Sequence, residues 1–131
     1  MKAETKDSML FFSKALQRFT EALAEDQSNP LAIDGSIQRF EFCFELGWKL
    51  IKKMLMDVEG IEVLSSKKAL QSAYQLGWIE DEQAWLKMLN DRNLTSQTYR
   101  EEYAQEIYSK LPIHLKQMQL LQIQVNQINE S

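Results

Sequence analysis

Between Leu31 and Val58 apolar residues recur at helical spacing on two stripes at once, and no proline interrupts them. Ile33, Ile37, Phe40, Phe44, Trp48, Ile51 and Leu55 draw the first stripe, and Phe42, Leu46, Leu50 and Met54 the second. A helix that is apolar around most of its circumference must be covered on two sides, so this segment is the central element of whatever folds around it. Its remaining polar strip, Gln38, Glu41, Glu45, Lys49 and Lys52, is expected to face water, with Glu45 and Lys49 correctly ordered for an i,i+4 pair. Trp48 is read as core. Cys43, the sole cysteine, lies inside the apolar run and reads as a buried hydrophobe in a reducing compartment, with no internal disulfide open to it.

Four glycines and two prolines are few for a β-protein of 131 residues, which must turn often, so the fold class expected is all-α. The length suits one domain, residues 1–131, built as an up-and-down bundle of four to five helices. A first amphipathic helix over about residues 5 to 25 carries Leu10, Phe12, Ala15, Leu16, Phe19 and Leu23, and a turn at Glu25 to Pro30 leads into the central helix. Gly60 is placed to end that helix. Ser65 or Ser66 can cap a short third helix with Leu70, Ala73 and Tyr74, closed by Gly77. Asp81 can cap a fourth, from Glu82 to about Arg92. The last helix begins near Tyr99 or Arg100, and Pro112 is expected to kink or interrupt it before Leu115, Met118, Leu121 and Val125 resume the stripe.

A net charge of -4 argues against a broad basic face for duplex nucleic acid and favours a protein partner or a small anion. No run of about 18 apolar residues and no apolar leader occur, so the protein is expected in the cytoplasm and off the membrane. His114 is the only histidine and cannot make a metal site of ordinary composition, no carboxylate pair is spaced for magnesium, and neither a metal nor another cofactor is expected.

Polar, chemically capable residues crowd together only at Asp91 to Tyr99, between the fourth and last helices. Arg92 brings five fixed donors and a charge that does not titrate away, which suits phosphate or carboxylate; otherwise it pairs with Asp91 or a neighbouring Glu. Asn93, Thr95, Ser96, Gln97 and Tyr99 add hydrogen-bonding groups but no general base, and together the segment is expected to form a polar cleft. Arg39, on a helix rich in Phe, is read as a structural ion pair or as a second wall of that cleft. Trp78, beside Gly77, is a candidate interface residue, and Trp85 sits at an apolar helical position.

Arg39-Phe-Glu-Phe-Cys-Phe-Glu-Leu-Gly-Trp-Lys-Leu50 and Asp91-Arg-Asn-Leu-Thr-Ser-Gln-Thr-Tyr99 together resemble the paired signatures of the nucleotidyltransferase substrate-binding proteins, a family of the HEPN superfamily of helical nucleotide-binding domains. The resemblance implies a helical bundle, a homodimer, and work beside a separately encoded minimal nucleotidyltransferase. In the related HepT-type toxin branch the motif of a metal-independent ribonuclease reads arginine, four residues, histidine, and a tyrosine two residues later. Arg92 and Tyr99 match, and Gln97 stands in the histidine's place. Glutamine cannot take a proton from a ribose hydroxyl as imidazole can, which weakens a ribonuclease that cleaves RNA. The resemblance therefore implies an accessory subunit that binds a nucleotide or another small anion through Arg92, Asn93, Thr95, Ser96, Gln97 and Tyr99, with Tyr99 a candidate for modification by the partner. The alternatives are a ribonuclease toxin using Arg92 and Gln97, and a dimeric interaction module with no ligand site.

Overall fold

The structure, a computed structural model, describes residues 1–131. Five helices form in chain order: α1 (Ala3–Leu23), α2 (Pro30–Glu59), α3 (Ser66–Gln75), α4 (Glu82–Leu94) and α5 (Glu101–Glu130), with a short 3-10 turn at Thr95–Gln97 before the last. The all-α bundle expected from the sequence is what forms.

Local chemistry sets the helix ends. Asn29 accepts from the Leu31 amide ahead of Pro30, where a missing N–H removes nothing, and Gly60 ends α2 at φ 65°, a left-handed conformation that a side chain would strain. Ser65, rather than Ser66, caps α3 by accepting from Lys68, and Asp81 caps α4 by accepting from Ala84.

The central role of α2 follows from what covers it. Phe40, Cys43, Phe44, Leu50, Ile51, Met54 and Leu55 are all buried, and they join residues of the other four helices in one continuous apolar core. Lys53 Nζ reaches Ser8 Oγ at 2.8 Å, while Arg39, earlier on α2, shares a cavity with Lys14 and Arg18, later on α1, so α1 and α2 run antiparallel. They meet closely at Gly47: a Cβ there would stand 3.1 Å from Phe12 Cε1. α5 packs on both, and Gln122 donates to Ser13 at 2.6 Å across the α1 contact. Cys43 is fully buried, and burial pushes its thiol up to about 12, which leaves it inert.

The structure corrects several expectations. Of the kink or interruption expected at Pro112, the interruption does not occur, and α5 runs through it from Glu101 to Glu130. It sits on the exposed face and lines an outward cavity with Tyr108, while Leu111, His114 and Met118 hold the chain to the core on either side. Trp48 is only half-buried, because it falls at the margin between the covered and open faces of α2. Trp78 is 7% exposed and belongs to the core, not to a free surface.

Candidate functional site

The site is built from the last turn of α4, where the helix runs two residues beyond Arg92 before tightening into the 3-10 turn. Thr95 Oγ1 donates to the Arg92 carbonyl at 2.7 Å and Thr98 Oγ1 to the Thr95 carbonyl at 3.0 Å, so these hydroxyls occupy carbonyls left open at the helix end. Thr95 is thus a buried structural residue, whereas Asn93, Ser96 and Gln97 point to solvent and Tyr99 is 83% exposed.

Asp91 and Arg92, adjacent in sequence, go opposite ways. Asp91 turns inward and is buried, with His114 Nε2 of α5 at 2.6 Å and Lys110 Nζ at 3.4 Å. Burial pushes its carboxyl up, but the His114 hydrogen bond and the Lys110 charge together outweigh that and hold it below the ordinary carboxylate value. Against an ionised carboxylate Nε2 donates, while Nδ1 is buried with no partner. The imidazole stacks on Phe40 with ring centroids 5.3 Å apart. His114 is therefore structural. It pins the end of α4 to α5 and fixes the direction in which Arg92 leaves the helix.

Arg92 turns outward to α2, where its guanidinium meets Glu45 Oε1 at 2.5 Å; Asp91 is not its partner. Glu45 is expected on a water-facing strip, yet its other oxygen takes the Trp48 indole N–H at 3.3 Å and lies 3.8 Å from Lys49 Nζ. Three donors from two helices converge on one carboxylate. Arg92 Nε, meanwhile, is buried with no acceptor.

None of the five principal cavities is lined by a residue of 92–99, and Asn93, Ser96, Gln97 and Tyr99 stand exposed on a ledge at the end of α4. The ion pair expected of Arg39 does not form; it lines the α1 side of α2 with Lys14 and Arg18. The Glu45 contact to Arg92 and the Asp91 to His114 bond, which together position the site, are what sequence reasoning missed. The one available signal was that Asp91 and His114 each occupy a position where the apolar stripe of their helix calls for a hydrophobe.

With this geometry in hand, comparison with known proteins gives concordant results. The model of the family described as nucleotidyltransferase substrate binding protein like matches residues 8–127. A Haemophilus influenzae protein named "Probable ribonuclease HepT" is 33% identical over 102 residues, which span 75% of this chain and 70% of that protein. A crystal structure from Thermus thermophilus superposes with a TM-score of 0.80 at 34% identity, covering 84% of this chain and 94% of the other. A second structure, from Haemophilus influenzae, is said to reveal the fold of a substrate binding domain of a nucleotidyltransferase; it superposes with a TM-score of 0.78 at 26% identity, covering 90% and 98% of the two chains.

Proposed function

Because this chain belongs to the nucleotidyltransferase substrate-binding protein family, we propose that it is the accessory, substrate-binding subunit of a separately encoded minimal nucleotidyltransferase. The observation that carries this reading is the ledge at the end of α4. Arg92, Asn93, Ser96, Gln97 and Tyr99 offer donors, acceptors and a fixed charge on a surface that another protein can reach, with no base among them. Such a ledge presents a substrate to chemistry supplied by the partner.

Tyr99 is the group on it best placed to be the acceptor. Its phenol oxygen would attack the α-phosphorus of a nucleoside triphosphate held by the partner. The new bond joins tyrosine oxygen to phosphorus, the bond from the α-phosphorus to its bridging oxygen breaks, pyrophosphate leaves, and the phenol proton passes to solvent. Co-expression with the neighbouring nucleotidyltransferase tests both parts. The two chains are expected to co-purify, and intact mass should rise by whole nucleotidyl units in the parent but not in Tyr99→Phe. Co-purification without added mass would remove the acceptor role and leave the accessory one.

A second reading, a metal-independent ribonuclease, is favoured by the name of the Haemophilus relative. Its difficulty here is chemical: Gln97 cannot act as base, and His114 is committed to Asp91 inside the core. Incubation with tRNA is expected to leave the RNA intact, and cleavage abolished by Arg92→Ala would establish the ribonuclease instead.

A further inference from the structure

α5 carries two stripes at three-four spacing, and the chain itself covers only one of them. Ile107, Leu111, His114, Met118, Leu121 and Val125 form the buried stripe. Ile113, Lys116, Leu120, Ile123 and Gln127 repeat the spacing on the solvent side, and all five are exposed. From Ile113 to Gln127 this outer stripe runs about 21 Å, or about four turns, at the rise of a helix. Beside it a cleft of about 230 Å³ opens against the segment after α3, walled by Trp78, Ile79 and Trp85 and sharing Leu120 and Ile123 with the stripe. That volume is below the roughly 300 to 1,000 Å³ of small-molecule sites, and suits one large side chain that anchors a partner. An apolar stripe with an anchoring cleft along it is the geometry that receives an amphipathic helix.

The order of residues along the stripe decides against a second copy as its occupant. With two α5 helices antiparallel across a two-fold axis, no register brings Ile113, Leu120 and Ile123 against one another. Centring on Leu120 sets Ile113 against Gln127 and Ile123 against Gln117, and shifting to pair Ile113 with Ile123 sets Leu120 against Lys116. A parallel pair would set Lys116 against its own copy, a juxtaposition of like charges. The outer face of α1 behaves in the opposite way. Its exposed residues Glu4, Asp7, Phe11, Lys14 and Arg18 read acid, acid, aromatic, base, base, so an antiparallel copy centred on Phe11 meets Glu4 with Arg18 and Asp7 with Lys14. Self-association therefore has its matched surface on α1, and the α5 stripe is left for a different chain.

We propose that the outer face of α5 from Ile113 to Gln127 docks an amphipathic helix of a different chain, aliphatic along one side, with a bulky apolar residue in the Trp78 cleft and a carboxylate opposite Lys116. The accessory-subunit reading above, on which this step rests, makes that chain the nucleotidyltransferase. Lys116 forms no ion pair within the chain, and neither does Glu80 at the rim of the cleft, so both charges are open to the partner. The stripe begins about 18 Å along α5 from Glu101, where the ledge ends, and a small domain is about 30 Å across. A partner seated on the stripe is thus large enough to span to Tyr99.

Co-expression of the full chain with the neighbouring nucleotidyltransferase, followed by affinity capture and light scattering, tests this. The parent is expected to retain the partner. Leu120→Glu and Ile123→Glu should each cut retention roughly tenfold or more, the effect of a charge set in the centre of an apolar contact, and should still scatter as dimers. Lys116→Glu should weaken retention about twofold to fivefold, the reach of an exposed ion pair. Phe42→Glu should scatter as a monomer and keep the partner. All three α5 side chains are exposed, so these variants should melt with the parent. If all three retain the nucleotidyltransferase as well as the parent does, docking lies elsewhere, and the proposal fails while the accessory-subunit reading survives. A monomer in Leu120→Glu would make α5 the self-contact and overturn the proposal. A parent that captures no nucleotidyltransferase would overturn the accessory-subunit reading and the docking face together.

Discussion

Two adjacent side chains, Asp91 and Arg92, part in opposite directions: Asp91 is buried against His114, and Arg92, the residue proposed for recognition, turns out to Glu45. Removing Asp91 would strand His114 in the core, so Asp91→Ala should destabilise the fold by about 3 to 5 kcal/mol, as when one member of a buried pair is deleted. Because the folded carboxyl is held below its ordinary value, its contribution is complete above about pH 5 and is lost as the pH falls through the folded value, below about pH 4. The gap in urea midpoint between parent and Asp91→Asn should therefore narrow as the pH falls below about 4. A gap that widens in acid would contradict the assignment. Tryptophans give a graded contrast. Trp85, 1% exposed, should cost about 3 to 5 kcal/mol when changed to Ala, and half-buried Trp48 clearly less in the same melts. Gln97→His would restore the arginine, four residues, histidine spacing on an exposed turn, with a histidine whose ordinary pKa is about 6.5 and which the Arg92 charge would bias toward neutral. Positioned acid-base groups are worth about 100- to 10,000-fold, so RNA cleavage should become detectable and vanish again when Arg92→Ala is added. An inert but folded Gln97→His would mark the ledge as shaped for a partner rather than for RNA.

At the scale of the elements, Gly47 shows how closely two helices are fitted. It lies in the middle of α2, where glycine is ordinarily unfavourable, because Phe12 of α1 occupies the space its side chain would need. Gly47→Leu should cost about 1 to 3 kcal/mol through overpacking, seen as a lower denaturant midpoint, whereas a substitution at Gly35, with open space around it, should not act by this route. Helix positions were legible in the sequence because each is set locally: apolar periodicity gave α1 and α2, and Asn29 with Pro30, Gly60, Ser65 and Asp81 marked ends that the structure keeps. The proline in α5 misled because local propensity argues for a break, while burial of Leu111, His114 and Met118 around it argues for continuity and prevails. The candidate site was half legible for the same reason. Arg92 and its neighbours announce themselves by crowding, but Glu45 lies a whole helix away and His114 is 23 residues beyond its partner, pairings that spacing along one helix cannot express.

Across the whole molecule, the apolar surface that one chain leaves uncovered points to assembly. Phe11 is 56% exposed and Phe42 47%, and the two flank one cavity with Leu46 on the α1 and α2 face; Ile113, Leu120 and Ile123 form a second exposed group on α5. Patches of this kind on a chain with no membrane-spanning helix are ordinarily covered by another protein surface. A two-fold dimer covers the same patch on both copies at once, so a single charge introduced there is met twice in the interface and acts with doubled effect. The prediction is a dimer by light scattering at tens of micromolar, little affected by salt because the contact is apolar. Phe42→Glu and Leu120→Glu then decide which face is used. Both side chains are exposed in the single chain, so neither change should lower its melting temperature through the core, and only the variant in the true interface should scatter as a monomer. A parent that already scatters as a monomer would overturn the dimer and leave both faces free for the proposed partner.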